Sequence, residues 1–177
     1  MKSLIAAELK LSYHPVAILF SNDRPEEARR FQEGKWGCVM AMYNLAMSKG
    51  ETAVFDRKSY GCIGGGVGLC LGNTYKDNRG FMLHLLADEE GFFKDQGLVE
   101  DFLDNFDYVD IDYKYVVFKP LAMVDEAIEQ PTLVSFPANA DQLAALSALI
   151  SFRRPGIDHV TADGRQDSGA CVNRLAS

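Results

Sequence analysis

Two stretches of this sequence read in the same order, and that order limits the folds open to the chain. In the first, the apolar run Val16-Ala17-Ile18-Leu19-Phe20 meets Ser21-Asn22-Asp23. A helical stretch stops at Gly50, then come Thr52-Ala53-Val54-Phe55 and Tyr60-Gly61-Cys62. In the second, Thr132-Leu133-Val134-Ser135-Phe136 meets Asn139 and Asp141. A helical stretch stops at Pro155-Gly156, then come Asp158-His159-Val160-Thr161 and Gly169-Ala170-Cys171. The order is strand, capped helix, glycine, strand, loop cysteine, twice over. The offset between equivalent points changes along the chain, so the alignment needs gaps. The pattern predicts pseudo-repeats over 16–62 and 132–171 inside a single domain covering 1–177. The expected fold class is α/β, or α+β: a mixed sheet built from two similar strand-helix-strand halves with a central cleft. Repeats that pair face to face bring Cys62 and Cys171 to one place.

With 177 residues, a chain buries roughly two thirds of its unfolded surface and needs neither disulfide nor metal merely to fold. Hydrophobic residues make up 47% and charged residues 24%, as in ordinary globular proteins. The net charge of −7 argues against sequence-independent nucleic-acid binding, which needs clustered Lys and Arg. No run of 18 apolar residues is present, so no membrane-spanning helix is expected. The first ten residues are amphipathic, and their charges interrupt the apolar stretch too early for a signal peptide. The cytoplasm is the expected compartment, where cysteines serve as thiols, ligands or catalytic groups rather than disulfides.

Local patterns place the elements. Residues 1–12 read as a short helix with Leu4, Ile5 and Leu9 on its apolar stripe, ended at His14-Pro15. Residues 16–20 have the composition of a strand covered on both faces. Asn22 or Asp23 is placed to cap a helix carrying Pro25, Glu26 and Glu27 in its first turn. A further helix is expected over 38–48, with Val39, Met42, Tyr43, Leu45 and Ala46 facing the core and Gly50 as C-cap. Residues 81–93 fit helix or strand. Residues 98–106 read as an amphipathic helix, 108–118 as a half-exposed strand, and 141–152 as a helix.

Several stretches together resemble one family: Pro15-Val16-Ala17, Tyr60-Gly61-Cys62-Ile63-Gly64-Gly65, Phe118-Lys119-Pro120-Leu121, Pro131-Thr132-Leu133-Val134, Asp141-Gln142-Leu143 and Gly169-Ala170-Cys171, with Cys38 also fitting. The sequence is similar to the uncharacterised prokaryotic family called domain of unknown function 169, from about Pro15 to Cys171. The resemblance implies a cytoplasmic bacterial or archaeal protein and a chain that runs on past the last cysteine. It implies no activity.

The four cysteines are separated by 24, 8 and 101 residues, without the Cys-x-x-Cys pairs of zinc and ferredoxin sites. Folding must gather them if they bind metal. Cys38, Cys62 and Cys171 each follow glycine or alanine at a loop or helix start, where a thiolate is favoured; these three are the metal-ligand candidates, for zinc or an iron–sulfur cluster. Cys70, between two leucines, reads as a small buried hydrophobe. In the glycine-rich segment, Gly61, Gly64, Gly65 and Gly66 are candidates for a backbone cradle around a small anion. The segment has neither a P-loop ending nor an in-frame Gly-x-Gly-x-x-Gly, and close backbone packing explains such glycines equally well. His14, His84 and His159 form no metal spacing, although His159 lies near Cys171 in sequence. No serine-hydrolase elbow is present, and the acidic residues of 88–112 do not fit an EF-hand. The expected function is binding of a metal, an iron–sulfur cluster or a small anionic ligand at a cysteine and glycine-loop cleft. Two alternatives stay open: an enzyme with Cys62 as nucleophile and loop N–H groups as oxyanion hole, and an interaction protein with inert cysteines. The expected partner is a metal or small molecule, with no nucleic acid and no membrane, and a homo-oligomer is left open.

Overall fold

A computed structural model describes residues 4–152. Their strands form one four-stranded sheet: β1 (Val16–Ser21), β2 (Ala53–Phe55), β3 (Tyr115–Pro120) and β4 (Leu133–Ser135), in the order β2-β3-β1-β4. Every pairing among the named strands is antiparallel, with Val16 opposite Pro120 and Ser21 opposite Tyr115 in the longest ladder. The expectation of a mixed sheet is corrected here. β1 and β2 do run the same way, but β3 lies between them and pairs with both.

The continuous apolar run of β1 has two faces to fill. Val16 and Ile18 face one cluster with Phe55, Val116, Phe118 and Leu69, roofed by Ala46, Val39, Met42 and Tyr43 of α2 (Val39–Lys49). Ala17 and Leu19 face a second cluster with Val54, Val117, Leu121 and Val124. Helix α2 ends as its sequence predicts: Gly50 sits in the left-handed region at φ +72°, and its N–H donates to Leu45 O. A short α1 (Leu4–Glu8) precedes β1 and ends before Leu9, earlier than the stripe over 1–12 suggests.

The middle of the chain folds as a helical lobe: α3 (Ile63–Gly68), α4 (Thr74–Asp77), α5 (Arg79–His84), a π-helical turn over Leu85–Glu89, and α6 (Gln96–Asp104). Val67, Tyr75, Met82, Leu86 and Val99 form its core, lined by edge-to-face rings such as Tyr75 on Phe106, 5.5 Å between centroids. Helix α3 joins the two parts of the molecule. Val67 belongs to the helical core, while Leu69, Cys70 and Leu71 at its end belong to the sheet core.

Two expected elements do not form. Residues 22–34 are turns and extended chain rather than a capped helix; Asp23 N–H donates to Ser21 Oγ and the Asn22 side chain accepts from Lys114 N–H. Residues 108–114 lie outside the strand, which starts at Tyr115. In the second expected repeat, β4 lies antiparallel beside β1 and is followed by α7 (Ala140–Phe152). The remainder of that repeat, with the strand expected over 158–161, His159 and Cys171, lies outside the described residues.

Candidate functional site: two paired Gly-Cys steps

After β1 the chain does not leave the sheet. Arg29 forms a parallel bridge with Ala53: its N–H donates to Thr52 O and its carbonyl accepts from Val54 N–H, both at 2.8 Å. Further along, Gly34 N–H donates to Lys58 O at 3.1 Å. The Phe31 and Phe55 rings lie 6.0 Å apart. The Gly37 carbonyl oxygen presses against Gly61, 2.5 Å from where a Cβ would stand. These partners, 29 and 53, 31 and 55, 34 and 58, 37 and 61, are each 24 residues apart. Residues 29–37 thus meet 53–61 at a constant separation. The residues that follow Gly37 and Gly61 are Cys38 and Cys62. The sequence separation of 24 between these cysteines, which matched no known ligand motif, is the register of the two segments.

Side chains hold the pairing. The Arg30 guanidinium donates to Asp56 Oδ2 at 2.9 Å and to Ser59 Oγ at 3.1 Å, and Ser59 is buried. The Phe31 ring lies with one edge against Gly37 and the other against Gly61, so a Cβ at either position would enter it. Gly61 also has φ +85°, a conformation open to glycine at little cost.

Both segments then turn into helices. Cys38 is the N-cap residue of α2, exposed and without a side-chain capping bond; Cys62 is the N-cap of α3, half-buried, and its Sγ accepts from Gly65 N–H at 3.3 Å. The two helix starts are packed on each other. Val39 Cγ2 fills the space a Gly65 Cβ would need, and Cys62 Sγ lies 3.3 Å from the same point. The Cys62 sulfur therefore sits beside the residue that follows Cys38.

The glycine segment is helix rather than loop. Gly65 N–H serves the Cys62 sulfur and Gly66 N–H donates to Cys62 O at 3.0 Å. Two of the four glycines read as cradle donors therefore use their N–H groups locally. Gly66 is small because Thr74 and Tyr60 occupy the space around it. Close packing accounts for Gly61, Gly65 and Gly66.

The other sequence candidates lie apart. Cys70 is fully buried, at φ +58°. Burial, with Asp110 nearby as a lesser cause, pushes its thiol up to about 11, which keeps it protonated and a poor ligand at neutral pH. His14 belongs to the approach to β1, and His84 faces two carboxylates of the helical lobe. Among the described residues, no group of three or more His, Cys, Asp or Glu is arranged to hold a metal ion. A cavity of about 410 Å³ is lined by Pro25, Glu27, Arg29, Glu51, Thr52 and Lys119 among others and by none of the described cysteines. No described helix is long and apolar enough to cross a membrane. Sequence reading missed Phe31 and Gly37. The signal that could have found them is the doubled Gly-Cys step, Gly37-Cys38 and Gly61-Cys62, with a phenylalanine six residues before each glycine.

The family model DUF169, described as Uncharacterised ArCR, matches residues 4–176. The chain belongs to the DUF169 family. The match takes in all four cysteines. No curated protein and no solved structure matches this DUF169 chain.

Proposed function

We propose that this DUF169 chain binds a soft metal centre, zinc or an iron–sulfur cluster, through the thiolates of Cys38 and Cys62, with Cys171 as a further ligand. The observation that carries the reading is the constant separation at which 29–37 meet 53–61, followed by two free cysteines at helix starts that pack on each other. Thiolates prefer soft metals. The Gly65 N–H on the Cys62 sulfur is the kind of donor that tunes a metal-bound thiolate. Zinc in such a site supplies a structural clamp or a Lewis acid, and a cluster supplies electron transfer. What this chain supplies is two free thiols at helix starts that pack on each other, one exposed and one half-buried.

Trp36, the one tryptophan of the chain, is 79% exposed and stands two residues before Cys38. Titrating the reduced protein with zinc under anaerobic conditions should change Trp36 fluorescence with a stoichiometric break. Cys38→Ser and Cys62→Ser should each weaken binding at least about tenfold, the usual scale for losing a ligand or its immediate support. An unchanged titration in both variants would rule out these ligands. Absence of any zinc response, with rapid alkylation of Cys62, would instead favour a cysteine nucleophile.

A further inference from the structure

His84 ends α5, and the chain continues beyond it as a π turn, Leu85–Glu89. Glu90 N–H donates to Leu85 O at 2.8 Å, the five-residue bond that defines this register. The His84 imidazole stands between two carboxylates. Nδ1 lies 2.8 Å from Asp88 Oδ2, and Nε2 lies 3.2 Å from Glu89 Oε1. In an α-helix, a residue four ahead lies about 40° round the axis and a residue five ahead about 140° round, on the far side. The wider π turn lets residues four and five ahead flank the same side chain. The contact between Glu89 and His84 and the π register are therefore one geometric event.

The ring's protonation decides whether both contacts hold. A neutral imidazole has one N–H and presents a lone pair from its other nitrogen, whereas an imidazolium donates from both. Asp88 has a second donor, Gln96 Nε2 of α6 at 2.6 Å, so it stays anchored without the ring. We propose that His84 is a proton-operated latch on this turn: as imidazolium it holds Asp88 and Glu89 together and fixes the π register, and loss of one proton releases Glu89 and lets the turn relax toward the α register.

The charges acting on His84 are those two carboxylates. The hydrogen bond to Asp88, then the charges of Glu89 and Asp88, hold its pKa above the ordinary histidine value. The bond to His84 holds the Asp88 carboxyl below its usual range. Of the other charged groups on the neighbouring elements, Arg79 of α5 pairs with Glu100 and Asp104 of α6, α6 also carries Asp101, and α4 carries Lys76 and Asp77. A raised histidine pKa means the latch is closed at and below the ordinary histidine value and opens as pH rises through the raised one; at the acid end it is lost as pH falls through the lowered pKa of Asp88. The turn carries Leu86, a member of the helical core, whose carbonyl accepts from both Phe92 and Phe93 N–H. A change of register is thus transmitted to the lobe that holds α3.

The test is a proton-NMR titration of the full chain, with His84 assigned by the signal lost in His84→Gln, together with hydrogen exchange at the Glu90 amide. His84 should titrate above the ordinary histidine value. Glu90 exchange, corrected for intrinsic pH dependence, should accelerate as the ring loses its proton. Glu89→Gln should lower the His84 pKa by about half a unit to one unit, roughly a three- to tenfold loss of proton affinity. His84 titrating at the ordinary value, or Glu90 exchange that ignores the His84 titration, would overturn the latch. Should Glu89→Gln fail to fold, the wild-type titration and exchange decide alone.

Discussion

Gly61 joins backbone geometry to the candidate site. Its φ of +85° is in the left-handed region, and a Cβ there would stand 2.5 Å from the Gly37 carbonyl oxygen and 2.7 Å from the Phe31 ring. A side chain at this position would break the contact between the two residues that precede Cys38 and Cys62. Gly34 is the natural comparison: φ is +68°, yet nothing lies within 4 Å of its Cβ position. Gly34→Ala should cost about 1 kcal/mol for the backbone alone. Gly61→Ala should cost about 3 kcal/mol, because overpacking adds to the backbone term. Urea unfolding of the two variants measures the difference. Equal losses would mean that the Gly37–Gly61 contact is slack. The cysteines show the same dependence on surroundings: the thiol of Cys70, buried in the sheet core, differs from the exposed Cys38 because of what packs on it.

At the scale of elements, legibility followed how much of an element's energy is local. Helix α2 was readable because its stripe, its last lysine and its Gly50 cap all agree. Helix α6 begins at Asp95, whose side chain accepts from Leu98 N–H at 3.0 Å. Asp95→Ala should destabilise the chain by about 1 kcal/mol, measured by thermal or urea unfolding; a loss near zero would mean the cap is solvent-satisfied. The segment 22–34 misled because its capping residues and prolines suggest a helix start, while only Ala28 and Phe31 offer apolar surface to bury. A helix with so little to bury is not stable, and Arg29 and Arg30 instead bond to the chain at Thr52–Ser59. The alternation of 108–114 was read as strand, but a strand needs a partner. β1 ends at Ser21, opposite Tyr115, so the ladder has nothing to pair with earlier residues. The π turn at Leu85–Glu89 was not legible, because the apolar and acidic residues of 81–93 fit helix or strand and nothing in their spacing marks a π register.

At the scale of the whole molecule, two cores share one connecting helix, and Cys62 caps the start of that helix. The sequence pointed to Cys38 as a helix-start cysteine and to Cys62 as a cysteine in a glycine loop, where the structure has a second helix start. It could not show that the two helix starts pack on each other, because the contacts of 29–37 with 53–61 are a tertiary pairing built on backbone bonds and a shared aromatic ring. Of the pseudo-repeats expected over 16–62 and 132–171, the second is described only as far as β4 and α7, and Cys171 lies outside the described residues. The central claim is that Cys38 and Cys62 form one ligand pair from which Cys70 is separate. Elemental analysis and an absorbance spectrum of the protein purified anaerobically, as wild type and as Cys38→Ser, Cys62→Ser and Cys70→Ser, test it most directly. The account predicts bound zinc or iron in the wild type and in Cys70→Ser, with loss of most of it in both Cys38→Ser and Cys62→Ser. Metal retained equally in all four proteins, or absent from all four, would contradict it.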